Sequence, residues 1–332
     1  MRLLLLGGTK FVGRVVAEEA LARGWEVTAL NRGTQPAPDG VRVLEGDRTA
    51  EDGLAALGTQ EWDAVVDTWS WAPAAVRDSA RALKGRVGHY GYVSSRSVYA
   101  YPLAADAGES APVVASSPDL TGEVPYAEAK RGAELALEAE FGGQALLARA
   151  GLILGPHENI GRLPWWLNRI ARGGPVLAPG PRELALQYVD ARDLAAWALD
   201  AAVARLAGPY NVVSPSGHAT MGELLEACVR ATGSDAELRW TEPERILAAG
   251  IEPWTELPIW LAPGELYDFL HTGSVERAVG AGLRCRPVAE TVESTWAWLQ
   301  EIGGTAPQRS DRATVGLDPD REAALLKGSA GL

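Results

Sequence analysis

A tyrosine and a lysine four residues apart have the types and spacing best suited to acid–base chemistry. Tyr126 and Lys130 follow Pro125, and the run up to Phe141 is rich in Ala, Leu and Glu, which favours a helix beginning at the proline. Residues four apart on a helix lie on the same face. The lysine ammonium can therefore stabilise a phenolate, and Tyr126 could pass a proton to or from a substrate oxygen. The alternative is a surface helix with a half-buried tyrosine.

Serines follow the fifth predicted strand, which covers residues 88–93. The segment Ser94-Ser95-Arg96-Ser97 comes directly after it. In a parallel α/β sheet, ligands bind beyond the carboxyl ends of the strands. Ser95 is therefore predicted to donate a hydrogen bond to the reacting oxygen, next to Tyr126. A plain strand-to-loop turn, which serines also favour, is the alternative.

The elements that must position these groups begin with a glycine-rich turn. A buried-strand pattern at 2–6 is followed by Gly-Gly-Thr-Lys-Phe-Val-Gly, a helical stretch at 14–23 and a second strand at 25–30. This arrangement places free amides and a helix N-terminus where the pyrophosphate of a dinucleotide binds. Lys10 stands where the middle one of three spaced glycines is usual. Cofactor contacts are expected from Gly7, Thr9, Lys10, Phe11, Val12 and Gly13.

The end of the second strand bears on the choice of cofactor. Asn31 and Arg32 stand about 20 residues past the turn, where a carboxylate would hold the ribose 2′-hydroxyl of NAD. An arginine suits a 2′-phosphate instead, so NADP is predicted over NAD. A solvated loop arginine is the alternative. Further cofactor contacts are expected at the ends of the third and fourth strands, from Asp47, Arg48 and Thr68.

The spacing of the elements predicts the fold class. Strands at 41–45, 64–67 and 88–93 alternate with helices, the pattern of an α/β fold with a doubly wound parallel sheet. Further along the chain, a loop is expected at 173–181. Other predicted elements are helices at 162–172, 193–205, 221–232 and 320–327 and a strand at 210–213.

Composition excludes several classes of protein. The net charge of −12 argues against a nucleic-acid surface, because phosphate binding needs a basic face. The 2 cysteines and 4 histidines show no zinc-ligand spacing, so no metal is expected. No apolar run approaches the roughly 20 residues of a membrane span, which favours a cytoplasmic location.

Taken together, the motifs resemble the extended short-chain dehydrogenase/reductase superfamily and, more narrowly, its NAD-dependent epimerase/dehydratase branch. The resemblance rests on the glycine turn at 7–13, the segment Ser-Ser-Arg-Ser-Val-Tyr at 94–99 and Pro-Tyr-x-x-x-Lys at 125–130. It continues through Gly155-Pro156, residues 187–194, the strand at Asn211 and the Arg-Pro plus helix at 286–299.

The resemblance implies a Rossmann domain and a smaller C-terminal substrate-binding domain. The first would cover 1–155 and 187–214, the second 156–186 and 215–302, leaving a polar tail at 303–332 with a terminal helix. It also implies a catalytic set of Ser95, Tyr126 and Lys130, with Lys130 holding the nicotinamide ribose. A homodimer is the family's habit.

Two departures from the family pattern bear on function. Leu152 stands where nucleotide-sugar epimerases usually carry a sugar-contacting asparagine. Lys10 in the glycine turn resembles a subgroup that includes plastid RNA-binding proteins. The leading hypothesis is an NAD(P)-dependent oxidoreductase acting on the carbonyl or alcohol of a largely apolar small molecule. The alternatives are an epimerase or dehydratase that recycles bound NAD, and a non-redox or RNA-binding protein.

The substrate side of the site is predicted from the tryptophan supply and from polar residues near the expected crevice. Of the 12 tryptophans, several fall in segments that could line an apolar pocket, although a tryptophan is more often part of a core. Substrate contacts are expected from Trp69, Arg96, Trp165, Trp166 and Gln187.

Overall fold

The structure is a computed structural model that describes residues 1–327. In chain order the strands are β1 Arg2–Leu6, β2 Glu26–Asn31, β3 Arg42–Glu45, β4 Ala64–Asp67, β5 Tyr90–Ser95, β6 Leu146–Ala150, β7 Leu152–Leu154, β8 Pro175–Pro179, β9 Ala185–Leu186, β10 Tyr188–Asp190, β11 Gly208–Val212, β12 Ala219–Thr220 and β13 Glu237–Thr241. The helices are α1 Phe11–Ala22, α2 Ala74–Leu83, α3 Tyr126–Phe141, α4 Arg162–Ala171, α5 Ala191–Ala204, α6 Met221–Thr232, α7 Pro243–Ala248, α8 Glu265–His271, α9 Glu276–Gly280, α10 Val288–Glu301 and α11 Pro319–Lys327.

The chain folds into two units, each with its own core. Unit 1 comprises Met1–Gly151, Ala191–Val213 and Ser274–Arg284. Unit 2 comprises Leu152–Asp190, Ser214–Gly273 and the described chain from Cys285 onward. The division predicted from the sequence gave the segment at 274–284 to the second domain. That segment belongs to unit 1 because α9 packs on β11.

Unit 1 is built on a parallel sheet of seven strands in the order β11-β6-β5-β4-β1-β2-β3. Every pairing in this sheet is parallel. The strand order reverses between β1 and β4, and in such sheets the crevice at the reversal, beyond the carboxyl ends of the strands, binds the ligand. The predicted doubly wound α/β fold is confirmed.

The sequence of unit 1 explains why its central strands are buried. Leu3, Leu4, Leu5 and Leu6 are at most 2% exposed, as an unbroken apolar run sandwiched between helices requires. Helix α3 begins at Tyr126 with Pro125 as its N-cap, which agrees with the expected start at the proline. Helix α3 packs against α2, β5 and the short turn Arg96–Val98. The sheet thus brings the Tyr126 helix to the carboxyl end of β5.

Unit 2 contains short strand pairs surrounded by helices. The pairs are β7 with β10, β8 with β13, and β9 with β12. Its core includes Trp166 and Trp260, which are both fully buried. The prediction of a loop at 173–181 was wrong, because Val176, Leu177 and Ala178 form a buried strand between two prolines.

The C-terminal segment packs on unit 2 as far as it is described. Helix α11 confirms the expected terminal helix, and its Glu322 is buried against Arg169 of α4. The predicted tail also included 328–332, which lie outside the described residues. Within residues 1–327, no helix has both the length and the apolar character to cross a membrane.

Candidate active site

The glycine turn between β1 and α1 has the backbone geometry that only glycine tolerates well. Gly7 and Gly8 have φ angles of 125° and 89°. A Cβ on Gly13 would lie 2.7 Å from the backbone nitrogen of Gly8, so the turn and the helix approach too closely for a side chain. Lys10 has an extended backbone with φ of −131° and an exposed side chain, so no glycine is required there.

The N-terminus of α1 has features of an anion site. Lys10 is its N-cap and makes no side-chain capping hydrogen bond, and the first turn holds no acidic residue. Backbone N–H groups at a helix N-terminus attract phosphate oxygens. Thr68, at the end of β4, closes the other side of the turn, because a Cβ on Gly7 would lie 2.5 Å from the Thr68 Oγ1.

The end of β2 offers one unsatisfied donor. The Asn31 Oδ1 accepts a hydrogen bond from the Gly33 N–H at 2.8 Å, whereas the buried Asn31 Nδ2 has no partner among the described residues. A buried donor without a partner is unusual and fits a ligand hydroxyl. Arg32, the next residue, is exposed.

Two carboxylates, Glu45 and Asp47, lie close to the segment Arg32-Gly33, and the sequence analysis did not predict this proximity. Glu45 ends β3, and its carboxylate lies 3.1 Å from where a Cβ on Gly33 would stand. The Asp47 carboxylate accepts two hydrogen bonds from Thr49, and these, with a smaller contribution from the Arg32 charge, lower the pKa of Asp47. Glu45 could have been found from the sheet order, because Asn31 and Glu45 are register partners.

Lys130 is held by the backbone of two strand ends. Its Nζ donates to the Trp69 carbonyl at 2.5 Å and to the Val93 carbonyl at 2.7 Å, and the side chain is 2% exposed. The Nζ lies 6.0 Å from the ring centre of Tyr126 and 4.7 Å from that of Tyr92. The predicted one-turn spacing therefore brings the ammonium close to the Tyr126 ring.

Ser95 ends β5, two residues past the carbonyl that binds Lys130. Its Oγ accepts a hydrogen bond from the Ser97 N–H at 3.1 Å and lies 3.1 Å from the Ser97 Oγ. The hydroxyl thus caps the short turn that follows the strand. Ser95, Lys130 and Tyr126 belong to two packed elements, β5 and α3.

Arg48 and Arg96 are both buried arginines. The two terminal nitrogens of the Arg48 guanidinium donate to the two oxygens of Asp67, at 2.7 and 2.8 Å, whereas its buried Nε has no hydrogen-bond partner among the described residues. Arg96 is 2% exposed, and burial lowers its pKa to about 10. Arg48 was predicted to contact the cofactor and Arg96 the substrate.

Two tryptophans, Trp69 and Trp71, lie on the loop that follows β4. The Trp69 indole donates to the Ala72 carbonyl at 2.8 Å, and the Arg48 guanidinium lies 5.1 Å from its ring centre. Trp71 is 46% exposed. Its ring is 4.9 Å from that of Trp69.

Three residues predicted to contact substrate lie in unit 2, and two of them serve its core. Trp166 is fully buried, and its indole donates to the Pro258 carbonyl at 2.7 Å. Gln187 is fully buried, and its amide bridges the carbonyls of Ser214 and Gly273 at 3.0 and 2.8 Å. Trp165 is half-buried beside Trp166. In this range of residues, 1–327, no group of three His, Cys, Asp or Glu is arranged to hold a metal ion.

The comparison with protein families gives one match. Residues 3–213, well over half of the chain, match the model of the NAD-dependent epimerase/dehydratase family, and the chain belongs to that family. No curated protein matches the chain. The predicted family is thereby confirmed, and so is the prediction of an enzyme of this class.

Solved structures share the fold. The Bordetella bronchiseptica enzyme WbmH in complex with NAD+ is 20% identical, with a TM-score of 0.65 over 91% of this chain and 99% of that one. The Thermus thermophilus UDP-glucose 4-epimerase in complex with NAD is 22% identical, with a TM-score of 0.62 over 90% and 99%. The Bordetella bronchiseptica enzyme WbmG in complex with NAD and UDP is 19% identical, with a TM-score of 0.66 over 94% and 99%.

Proposed function

Because the chain belongs to the NAD-dependent epimerase/dehydratase family, we propose that it is an NAD(P)-dependent oxidoreductase. It would interconvert a carbonyl and an alcohol on a small, largely apolar molecule. Membership in this family of enzymes implies a nicotinamide dinucleotide as the cofactor class. The single observation that carries the proposal is the position of the buried Lys130 ammonium. It donates hydrogen bonds to two backbone carbonyls and lies 6.0 Å from the ring centre of Tyr126.

The turn and the strand ends of unit 1 fit such a cofactor. Gly7, Gly8 and Gly13 leave the backbone bare, and the uncapped N-terminus of α1 suits a pyrophosphate. The orphaned Asn31 Nδ2 fits a ribose oxygen. By their positions, Thr9, Phe11 and Val12 in the turn, Asp47 and Thr68 at strand ends and Lys130 on α3 would complete the binding site.

The chemistry would be divided between cofactor and protein. When bound, the reduced dinucleotide supplies a hydride from C4 of its nicotinamide ring. Tyr126 would donate its phenolic proton to the carbonyl oxygen, and the Lys130 ammonium would stabilise the resulting phenolate. Ser95 would rotate its hydroxyl from Ser97 to donate a hydrogen bond to the same oxygen. In the reverse direction, Tyr126 would accept the alcohol proton.

An apolar substrate is supported by two side chains. Leu152 replaces the amide that contacts a sugar in nucleotide-sugar epimerases, so that polar contact is missing in this chain; the leucine itself is 7% exposed and packs in the core of unit 2. Trp71 is 46% exposed in unit 1, on the loop that follows β4. A half-exposed indole suits the apolar or aromatic part of a ligand.

The second candidate is an epimerase or dehydratase that recycles its bound NAD. The family itself favours it, and so does the fold that the chain shares with the WbmG structure containing NAD and UDP. This candidate would use the same Ser95, Tyr126 and Lys130.

The two candidates differ in what happens to the dinucleotide. We would incubate the purified protein with NADPH or NADH and a panel of aromatic and aliphatic ketones, and follow absorbance at the dihydronicotinamide band. Net consumption of the reduced cofactor supports the oxidoreductase. Tightly retained NAD after purification, with conversion of UDP- or dTDP-sugars and no net change in cofactor, would replace it with the second candidate.

The cofactor preference would be set by opposing charges at the ends of β2 and β3. We propose that Arg32 favours NADP, because its exposed guanidinium can pair with a 2′-phosphate. The Glu45 carboxylate beside Gly33 would repel the same phosphate and reduce the preference.

A further inference from the structure

Trp69, whose carbonyl binds the Lys130 ammonium, is itself fixed by several hydrogen bonds. The Trp69 carbonyl accepts hydrogen bonds from the Lys130 Nζ at 2.5 Å and from the Tyr92 hydroxyl at 3.0 Å. The Trp69 N–H donates to the Asp67 Oδ1 at 3.0 Å. Its indole donates to the Ala72 carbonyl at 2.8 Å. The orientation of the carbonyl therefore depends on contacts made by the rest of the residue.

Asp67 is the centre of these contacts. It is fully buried at the carboxyl end of β4 and accepts four hydrogen bonds. Two come from Arg48, at 2.7 and 2.8 Å, one from the Tyr90 hydroxyl at 2.9 Å and one from the Trp69 N–H. Arg48 also lies 5.1 Å from the Trp69 ring centre, so the pair holds Trp69 by both its backbone and its ring.

Stability alone gives little reason to bury such a pair. Removing two charges from water carries a desolvation penalty, and apolar residues of similar volume often replace a buried pair without loss of stability. A lysine ammonium, however, is a point charge on a flexible four-carbon stem, and it needs fixed acceptors to stay in one place. The Trp69 and Val93 carbonyls are those acceptors, and only Trp69 lies on a loop.

We propose that Arg48 and Asp67 are positioning residues: they lock Trp69 so that its carbonyl fixes the Lys130 ammonium beside Tyr126. Tyr92 completes the arrangement by binding the same carbonyl and by presenting its ring 4.7 Å from the ammonium. Burial raises the pKa of Tyr92 well above its usual value, so the hydroxyl stays protonated and remains a donor. The catalytic meaning of this arrangement rests on the function proposed above, but its geometry does not.

Nuclear magnetic resonance of the lysine ammonium groups can test the geometry without substrate or cofactor. The chain has only Lys10, Lys84, Lys130 and Lys327, so labelling lysine with ¹⁵N gives four side-chain signals. Substitution of Lys130 by Met assigns its signal. We expect this signal to be the one that exchanges most slowly with water, because the ammonium is buried and bound to two carbonyls.

Two tyrosines on β5 provide a matched pair of variants. Tyr90 and Tyr92 are both 1% exposed, and each donates its hydroxyl within the network, one to Asp67 and the other to the Trp69 carbonyl. Tyr92→Phe should raise the exchange rate of the Lys130 ammonium protons about threefold, whereas Tyr90→Phe should change it by less than about twofold. Asp67→Asn should raise the rate about tenfold, because it weakens both holds on Trp69.

Glu322→Gln is the control for a general loss of stability, because it removes the carboxylate charge from the buried Arg169–Glu322 ion pair in unit 2. The proposal would be overturned if the exchange rate of the Lys130 ammonium protons stayed unchanged in both Asp67→Asn and Tyr92→Phe. It would also be overturned if Glu322→Gln changed this rate as much as Asp67→Asn does. If Asp67→Asn does not fold, the exchange rate of the Lys130 ammonium protons in Arg48→Lys, Tyr92→Phe and Tyr90→Phe still tests the proposal.

A titration of the same proteins with NADPH separates this inference from the proposed function. If the wild-type protein binds no dinucleotide, the proposed function fails, while the exchange rates still test the positioning of Lys130. If it binds, Tyr92→Phe should weaken the affinity more than Tyr90→Phe does. Equal weakening by the two variants would contradict a positioning role.

Discussion

Among the buried arginine–carboxylate pairs of the described residues, Arg48–Asp67 in unit 1 and Arg169–Glu322 in unit 2 have nearly the same chemistry. In Arg48–Asp67 the side chains are 6% and 0% exposed, and in Arg169–Glu322 they are 9% and 6% exposed. Each arginine also donates to a backbone carbonyl, and each carboxylate also accepts a backbone N–H, from Trp69 in unit 1 and from Leu177 in unit 2.

The difference lies in what the backbone partner does next. Trp69 presents its carbonyl to Lys130, so the unit 1 pair leads into the candidate active site. Leu177 lies in β8, so the unit 2 pair fastens α11 to that strand. A buried ion pair is therefore no sign of function by itself, and its role must be traced through the groups that it holds.

The largest effect is expected to be the same for both pairs. Asp67→Asn and Glu322→Gln should each lower the free energy of unfolding by about 3–5 kcal/mol, because an arginine is left buried without its counter-ion. Equilibrium denaturation in urea would measure the change. A loss below about 1 kcal/mol in either variant would contradict the equal burial of the two pairs.

Tyr126→Phe should separate activity from stability within unit 1. We expect turnover to fall by roughly 10²-fold or more, the scale of a lost general acid, while folding and NADPH affinity stay near those of the wild-type protein. Consumption of NADPH with a substrate from the ketone panel gives the rate. Turnover within a few-fold of the wild type would show that another group transfers the proton.

Another buried carboxylate, Glu158, is bound by backbone donors, and the charge of Arg162 opposes the effect of burial on its pKa. Glu158 accepts hydrogen bonds from the N–H groups of Arg162 and Leu163, and burial raises its pKa to about 7. Its folded pKa lies above the ordinary value of 4.5, so its contribution is fully present below pH 4.5 and is lost as the pH rises towards 7.

The matching measurement compares unfolding of the wild-type protein and Glu158→Gln at several pH values. The wild type should lose about 2 kcal/mol relative to the variant between about pH 5 and pH 7. Parallel curves over this range would mean that Glu158 stays ionised in the folded protein.

The smallest effects concern the dinucleotide itself. Arg32→Ala should lower the affinity for NADPH relative to NADH about tenfold, and Glu45→Gln should raise the same ratio by about threefold, because the two charges act on the 2′-phosphate with opposite signs. Quenching of tryptophan fluorescence would report both affinities. A ratio that neither substitution changes would remove the charge-based preference for NADP.

Much of unit 1 could be predicted from the sequence because its signals are local. The apolar run at β1, the glycines of the turn and the proline before Tyr126 each specify their own segment. The strand β8 was missed because its two prolines and the glycines on either side suggest a loop. Its apolar residues are buried by elements far along the chain, among them the partner strand β13 at Glu237–Thr241 and the helix α11.

The network around Lys130 could not be predicted for a similar reason. Arg48 follows β3 and Asp67 is the last residue of β4, and neither spacing nor composition pairs them. Arg48 was therefore expected to face the cofactor. In the sheet, β1 and β2 lie between β3 and β4, so the pairing becomes visible only in the folded chain. The loop after β4 then reaches Lys130 on α3.

The most direct test compares NADPH affinity in Asp67→Asn and Glu322→Gln, at a temperature where both proteins remain folded. If the unit 1 pair positions Lys130, Asp67→Asn should weaken binding about tenfold, whereas Glu322→Gln should stay within about twofold of the wild type. Equal affinities in the two variants would contradict the distinction between the pairs.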